Sequence, residues 1–452
     1  MPESFGPGEP VSKKTGPIGG SPAYPNYAVS TVDWIGELPA HWDVVALKRV
    51  APFVSRGSAP EYAEDETGTP VINQACVYWD GLRLDRVKYD QSSRPARTRK
   101  GYLLQGDVLV NSTGTGTLGR AAVFNETGEH IADTHVTIVR LDPTQCEPRY
   151  LAYLLATPIY QGFIYTALVS GSTNQIELSR EDLRAAPTIL PPLEEQRAIA
   201  AFLDRETAKI DALIEKKTRL IELAHERVQA QLTRVFEKLN ETSRKLSLRR
   251  AITSLTDGPF GSSLRSEHYV QAGTRVIRLQ NIGVGSFRGD DKAFVDTEYF
   301  RSLGGHDAKS GDVLVAALGD ENHPVGRACL LPDYVPEAMV KADCFRVRLD
   351  AKIIDPEYFV AFMSSKFCMP EISKHVRGAT RQRINLSGLS SLRVPAPESA
   401  TQKQVVLDWK KLSSRVERLV REVDQQISHL REYRTALISA AVTGQIDVRG
   451  RG

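Results

Sequence analysis

A chain of 452 residues, 41% hydrophobic and 25% charged, has the length for two or three domains and the ordinary composition of a soluble globular protein. A formal net charge of +3 excludes naming a polyanionic partner from total charge, because a basic face balanced by acidic helices sums to the same value. Five cysteines (Cys76, Cys146, Cys329, Cys344, Cys368), odd in number and without a CxxC pair, argue against a structural zinc site and for a reducing compartment. With no secretory leader and no run long enough to span a bilayer, a cytoplasmic location is expected.

Residues 1–30 are rich in Pro, Gly and Ser, and disorder is expected there. Order is expected from Asp33, and a mixed α/β domain over residues 31–189. Short β-branched segments such as Pro70-Val71-Ile72, Val108-Leu109-Val110, Arg120 to Phe124 and Val136 to Val139 are broken by Gly and Pro, and a helical piece runs from Pro148 to Tyr160.

One long helix is then predicted over residues 190–240. Pro191 and Pro192 open it, Glu194 and Glu195 meet the positive end of its dipole, and no Gly or Pro follows until past Asn240. Ile214, Ile221, Val228 and Val235 recur at heptad spacing beside Leu203, Ile210 and Ala224, a seam built for another helix. Roughly 45 residues would extend about 70 Å, too long for a helix lying on one small core. Its partner is predicted in the same chain, over residues 398–446. Val405, Trp409, Leu412, Val416, Leu419, Val423, Leu430, Tyr433, Leu437 and Ala440 form the second seam, with Gln426 as its polar position, and residues 447–452 are a flexible tail.

Between the helices, residues 241–397 repeat the first domain. Gly106 to Gly114 matches Gly311 to Gly319, and 311 − 106 = 205; Gly68-Thr69 against Gly273-Thr274 keeps that offset. Gly119-Arg120-Ala121 answers Gly326-Arg327-Ala328, Arg140-Leu141-Asp142 answers Arg348-Leu349-Asp350, and Ile176-Glu177-Leu178-Ser179 answers Ile384-Asn385-Leu386-Ser387. A period this long means tandem domains. The segments between the matches diverge, so one scaffold holds two different readouts. The expected fold is α+β: two similar mixed α/β globular domains separated by two long helices packed as an antiparallel coiled coil.

No catalytic set emerges. Gly114-Thr115-Gly116-Thr117-Leu118-Gly119 fits G-x-G-x-x-G, but a second strand follows it and the copy at Gly319 to Gly326 loses the pattern, so it reads as a turn. Asp333, Glu337 and Lys341 lack the spacing of a nuclease cluster, and no Walker A sequence or histidine metal spacing occurs. Basic, amide and hydroxyl residues do cluster. Arg94, Arg97, Arg99 and Lys100 could neutralise phosphates, as could Arg377, Arg381 and Arg383 with Thr380 and Gln382. Asn73, Gln74, Arg278, Gln280 and Asn281 are of the types that form bidentate contacts to base edges, and Thr113 and Thr115 stand in the turn beside them. A solvated charged loop is the commoner origin of such clusters, and a coiled-coil scaffold that assembles proteins without reading DNA is the alternative.

Several motifs together resemble the specificity subunits of Type I restriction-modification systems, from Asp33 to the C-terminus: Trp34-Ile35-Gly36-Glu37-Leu38-Pro39 with His41-Trp42, Gly106-Asp107-Val108-Leu109 with its copy at Gly311, and Leu190-Pro191-Pro192-Leu193-Glu194-Glu195-Gln196. Leu437 to Ile446 resembles the family's end, while the second junction is reduced to Val394-Pro395-Ala396-Pro397 and Gln402. The resemblance implies two target recognition domains reading a bipartite, asymmetric DNA sequence, with the helices as spacer. It also implies two methyltransferase subunits using S-adenosylmethionine and two restriction subunits using ATP and Mg. No cofactor is expected in this chain.

Overall fold

The computed structural model describes residues 22–114, 116–170, 176–259, 263–320, 323–335, 337–378 and 381–450. Its contacts divide the chain into two units, Met1–Lys216 with Gln426–Gly452, and Lys217–Gln425. Each unit therefore holds one predicted domain and a part of both long helices.

The first unit is built on an antiparallel sheet in the order Ala121–Val123, Val108–Asn111, Val136–Arg140, Phe53–Arg56. Val108, Leu109, Val110, Val136, Ile138 and Val139 are all fully buried, so both faces of the central strands are covered and the sequence there is a continuous β-branched run rather than an alternation. A second sheet orders Ile131–Ala132, Thr69–Ile72 and Lys88–Asp90, its first pair parallel. Helix Pro148–Leu155 starts on its proline and buries Tyr150, Leu151, Leu154 and Leu155 at helical spacing.

The second unit repeats this plan. Its four-stranded sheet runs Ile252–Thr256, Cys344–Leu349, Val313–Ala316, Ala328–Leu330, and Thr274–Ile277 again pairs parallel with Glu337–Val340. The same contacts hold both copies. Asp107 accepts two hydrogen bonds from Arg140 at 2.7 Å, and Asp312 accepts two from Arg348 at 2.8 and 2.9 Å. Tyr150 donates to Ile189 O and Tyr358 to Pro395 O. Gln196 accepts from Glu147 N and donates to Gln145 O and Pro191 O; Gln402 accepts from Asp355 N and donates to Ile353 O and Pro397 O. Gly57 and Gly258 stand where backbone meets backbone: a Cβ would lie 2.1 Å from Ala132 O in one and from the Lys341 carbonyl carbon in the other.

These contacts correct part of the sequence alignment. Ser179 and Asn385 both cap the helix that follows them, and Leu178 and Ile384 are both buried. The offset there is 385 − 179 = 206, so the apparent match of Ile176-Glu177-Leu178-Ser179 with Ile384-Asn385-Leu386-Ser387 is two residues out of register.

The long helices run Leu193–Thr242 and Ser399–Val442. They are antiparallel: in the first unit Asp211 near the middle of one pairs with Arg434 near the end of the other, and Ile199 and Leu203 share a core with Leu437 and Ala441. In the second unit Leu232 and Phe236 share a core with Val406 and Trp409. The second seam passes through Ile427, 6% exposed, rather than the exposed Gln426, because Val416, Val423 and Ile427 continue one helical face. Tyr433 and Leu419, expected in it, are 41% and 36% exposed at its edge.

Two stretches expected to lack order are packed. Tyr24 is 3% exposed, and Tyr27–Val29 pairs with Glu37–Pro39. Asp447 donates its amide to Pro22 O and Val448 is 3% exposed. The cause is Glu195: its carboxylate accepts from Tyr24 hydroxyl, Trp42 indole and Arg449 guanidinium and lies 2.8 Å from His41 Nε2, tying both terminal segments to the start of the first long helix. This holds for residues 22–30 and 447–450; residues 1–21 of the first stretch and 451–452 of the second lie outside the described residues.

Candidate nucleic-acid interface

The hairpin between Val108–Asn111 and Ala121–Val123 sets the surface of the first unit. Gly114, Gly116 and Gly119 all have positive φ, and residues 116–119 turn the chain between the two strands, as the sequence reading expected. The turn brings Gln74 and Thr113 together: Thr113 Oγ1 lies 3.3 Å from Gln74 Oε1 and 2.8 Å from His135 Nδ1. His135 is exposed, and beneath it Asp133 is buried, accepting its backbone N–H and the Tyr62 hydroxyl; burial pushes the Asp133 carboxyl above the usual aspartate range. Two guanidiniums lie over the Tyr78 ring, Arg120 at 4.7 Å and Arg83 at 4.9 Å from its centre, and Trp79, next in the chain, is 39% exposed.

Besides Gln74 and Thr113, the predicted site residues among those described fall into three kinds. Buried supports are the first. Asn73, 6% exposed, uses its amide on Ala75 N and Arg86 O, and Asn281, fully buried, uses its own on Arg278 N, Arg288 O and Asp291 O. Arg99 has a side chain 7% exposed and is spent on Asp90 and the carbonyls of Ser92 and Arg94. These three, chosen as DNA contacts, hold loops in shape, because a buried polar group is stable only when its bonds are made internally.

The second kind is already paired: exposed Arg97 with Glu129 at 2.6 Å, half-buried Arg278 with Asp291, and exposed Arg383 with Asp343 at 2.6 Å. The third is exposed with no carboxylate partner among the described residues: Arg94, Lys100, Gln280, Arg377, Arg381 and Gln382. The structure gathers Arg377, Gln382 and Arg383 on one ribbon, with Arg381 at its bend, through the antiparallel pairing of Val376–Arg377 with Gln382–Ile384. The Arg94 to Lys100 loop makes its contacts with Asp90, Ser92 and Glu129, not with the Gln74 and Thr113 group. Thr115 and Thr380 lie outside the described residues.

His135, Tyr78, Arg83 and Arg120 were not chosen from the sequence. The Gly-Arg-Ala repeat could have pointed to Arg120, since its counterpart Arg327 sits at the same hairpin, where it is 7% exposed and donates to Ile282 O, Leu279 O, Leu318 O and Pro324 O. His135 gives no such signal, since a histidine opening a strand is ordinary.

Comparison with known proteins finds chains of similar sequence and fold. Residues 39–223 match the family model of the Type I restriction modification DNA specificity domain. The putative type I restriction enzyme MjaX specificity subunit of Methanocaldococcus jannaschii is 22% identical over 433 residues, covering 92% of this chain and 96% of that one. The EcoKI specificity subunit of Escherichia coli K12 is 23% identical over 67% of this chain and 66% of its own length. A solved structure described as the basis of complex assembly and conformational transition of the type I R-M system aligns with a TM-score of 0.65 at 17% identity, over 90% of this chain and 99% of the other, a likeness of fold.

Proposed function

We propose, from the premise that this chain belongs to the family of Type I restriction-modification specificity subunits, that it reads a bipartite, asymmetric DNA target, one part with each unit. The observation that carries the reading is the repeat itself. Two units keep the same internal framework, Asp107 with Arg140 and Asp312 with Arg348, while the exposed loops around it carry different side chains. A fold preserved twice with two surfaces suits two different half-sites.

On this reading the chain performs no chemistry. Two methyltransferase subunits would supply adenine methylation from S-adenosylmethionine, and two restriction subunits would supply ATP- and Mg-dependent cleavage, all in the cytoplasm. Leu213, Leu220 and Leu223, between 42% and 46% exposed on the first long helix, offer apolar surface to helices of the methyltransferase partners. Exposed Arg94, Lys100, Arg377 and Arg381 would meet phosphates, and Gln74, Thr113, Gln280 and Gln382 base edges.

The test is co-expression with the cognate methyltransferase subunit, followed by single-molecule sequencing of adenine methylation in host DNA. A single bipartite motif with a fixed gap, changed on one side only by exchanging residues 40–185, is the expected result. Methylation indifferent to the exchange would identify the chain as a scaffold that does not read sequence.

A further inference from the structure

Both units build one corner from the same backbone bonds. In the first, Ser112 N donates to His135 O and Leu178 N donates to Ser112 O, each at 2.8 Å; in the second, Ala317 N donates to Asp343 O at 2.8 Å and Ile384 N to Ala317 O at 2.9 Å. Thr113 bridges to Glu177 as Leu318 pairs with Arg383. Three segments therefore meet identically, and the side chains that emerge there occupy equivalent positions: Thr113 with Leu318, His135 with Asp343, Glu177 with Arg383.

Their chemistry, however, is reversed. Glu177, an acid paired with Arg56, stands where the other unit has Arg383, a base paired with Asp343. Thr113 hydrogen-bonds His135 through its hydroxyl, while the Leu318 side chain has no polar atom to offer. The side chains of Glu177 and Arg383 are 46% and 47% exposed, so neither is fixed by packing demands. The corner backbone is held by main-chain bonds that need no particular side chain. Yet each polar group is oriented by a partner, the arrangement a recognition site requires. Asp343 is the sole non-glycine residue with positive φ among the described residues, at +67°, a conformation that Asp and Asn tolerate better than most.

We propose that these six side chains determine which bases each unit accepts. This rests on the DNA-reading function above. A carboxylate at Glu177 accepts from the exocyclic amine of cytosine or adenine, a guanidinium at Arg383 donates to guanine O6 and N7, and Leu318 offers apolar contact to a thymine methyl.

The experiment uses the complex with the methyltransferase subunit and compares methylated motifs for E177Q, H135Q, R383Q and D343N, the last chosen because Asn keeps the backbone conformation. E177Q and H135Q are expected to change relative methylation by roughly tenfold or more at one or two positions of one half-motif. R383Q and D343N are expected to change only the other half. Should R383Q fail to assemble, R383K keeps the charge but loses the planar fork, and is expected to relax a guanine preference in the same half. A wild-type motif left unmoved by every assembled variant overturns the assignment of the corner. A wild-type complex that methylates no defined motif overturns the DNA-reading function together with it.

Discussion

Arg377 and Arg381 give the most direct measure of whether the ribbon of the second unit meets DNA. Both are exposed and neither pairs with a carboxylate among the described residues, whereas Arg383 beside them is held by Asp343. An arginine that neutralises a phosphate releases about 0.9 of a condensed counterion, so removing both should make log affinity against log salt shallower by about 1.8. Between 50 and 200 mM salt, wild type should then lose about tenfold more affinity than R377A/R381A. Fluorescence anisotropy of the assembled complex on a labelled duplex carrying its motif reads this directly, each single variant giving about half the change. R278A is the internal comparison: Asp291 already faces that guanidinium, so little counterion release is expected from its loss. A double-variant slope indistinguishable from wild type would refute the placement of phosphates along this ribbon.

Gln196 is fully buried and makes three hydrogen bonds, to Glu147 N, Gln145 O and Pro191 O, and Gln402, 2% exposed, repeats them. Q196A and Q402A should each destabilise their unit by about 3 kcal/mol in denaturant unfolding, from stranded backbone partners; a loss below about 1 kcal/mol in either would mean that water replaces the amide. The Asp447 carboxyl is held below the usual range by the hydrogen bond from Arg449. Its stabilisation is therefore present above the unfolded aspartate value of about 3.9 and lost as pH falls through the lower folded value, so D447N should be less stable at neutral pH and converge with wild type in acid. Persistence of the difference at acid pH would assign it to packing. All five cysteines are free and buried, and burial pushes their thiols up, Cys76 to about 11 and Cys146, Cys329, Cys344 and Cys368 to about 12. None should be alkylated at pH 7 before unfolding; rapid native labelling of any one would contradict its burial.

The helices, the repeat and the hairpin turn were legible because each is written locally: proline at the start, heptad spacing, glycine where φ turns positive. The partners of those residues were not. Asp107 and Arg140 are 33 residues apart, and nothing in the spacing says that they join. The anchoring of Tyr24 and Arg449 was hidden for the same reason, since both bond Glu195, a residue that reads in sequence as a helix-dipole acid. Among the site residues, composition selected amides and arginines but could not tell a side chain that faces solvent from one that braces a loop. Asn73 and Asn281 were chosen for a chemistry that their own backbone already consumes.

The repeat also explains how two like domains remain attached to unlike helices. Arg149 on the first unit's short helix pairs with Asp204 at 2.6 Å, and at the equivalent place in the second unit Glu357 pairs with Lys410, the same contact with its charges exchanged. A domain set on the other helix would oppose Arg149 to Lys410 or Glu357 to Asp204. Each exposed pair contributes only about 0.5 kcal/mol, so the reversal does little for stability and acts on choice, turning two attractions into two repulsions. Glu195 sharpens the distinction, because Thr401 stands at its place in the second unit and cannot gather Tyr24, Trp42 and Arg449 as the carboxylate does. Framework residues that fold both units are therefore kept alike, while those that differ between the units, at the helix starts as at the corner of Glu177 and Arg383, are the ones whose charge has been reversed or removed.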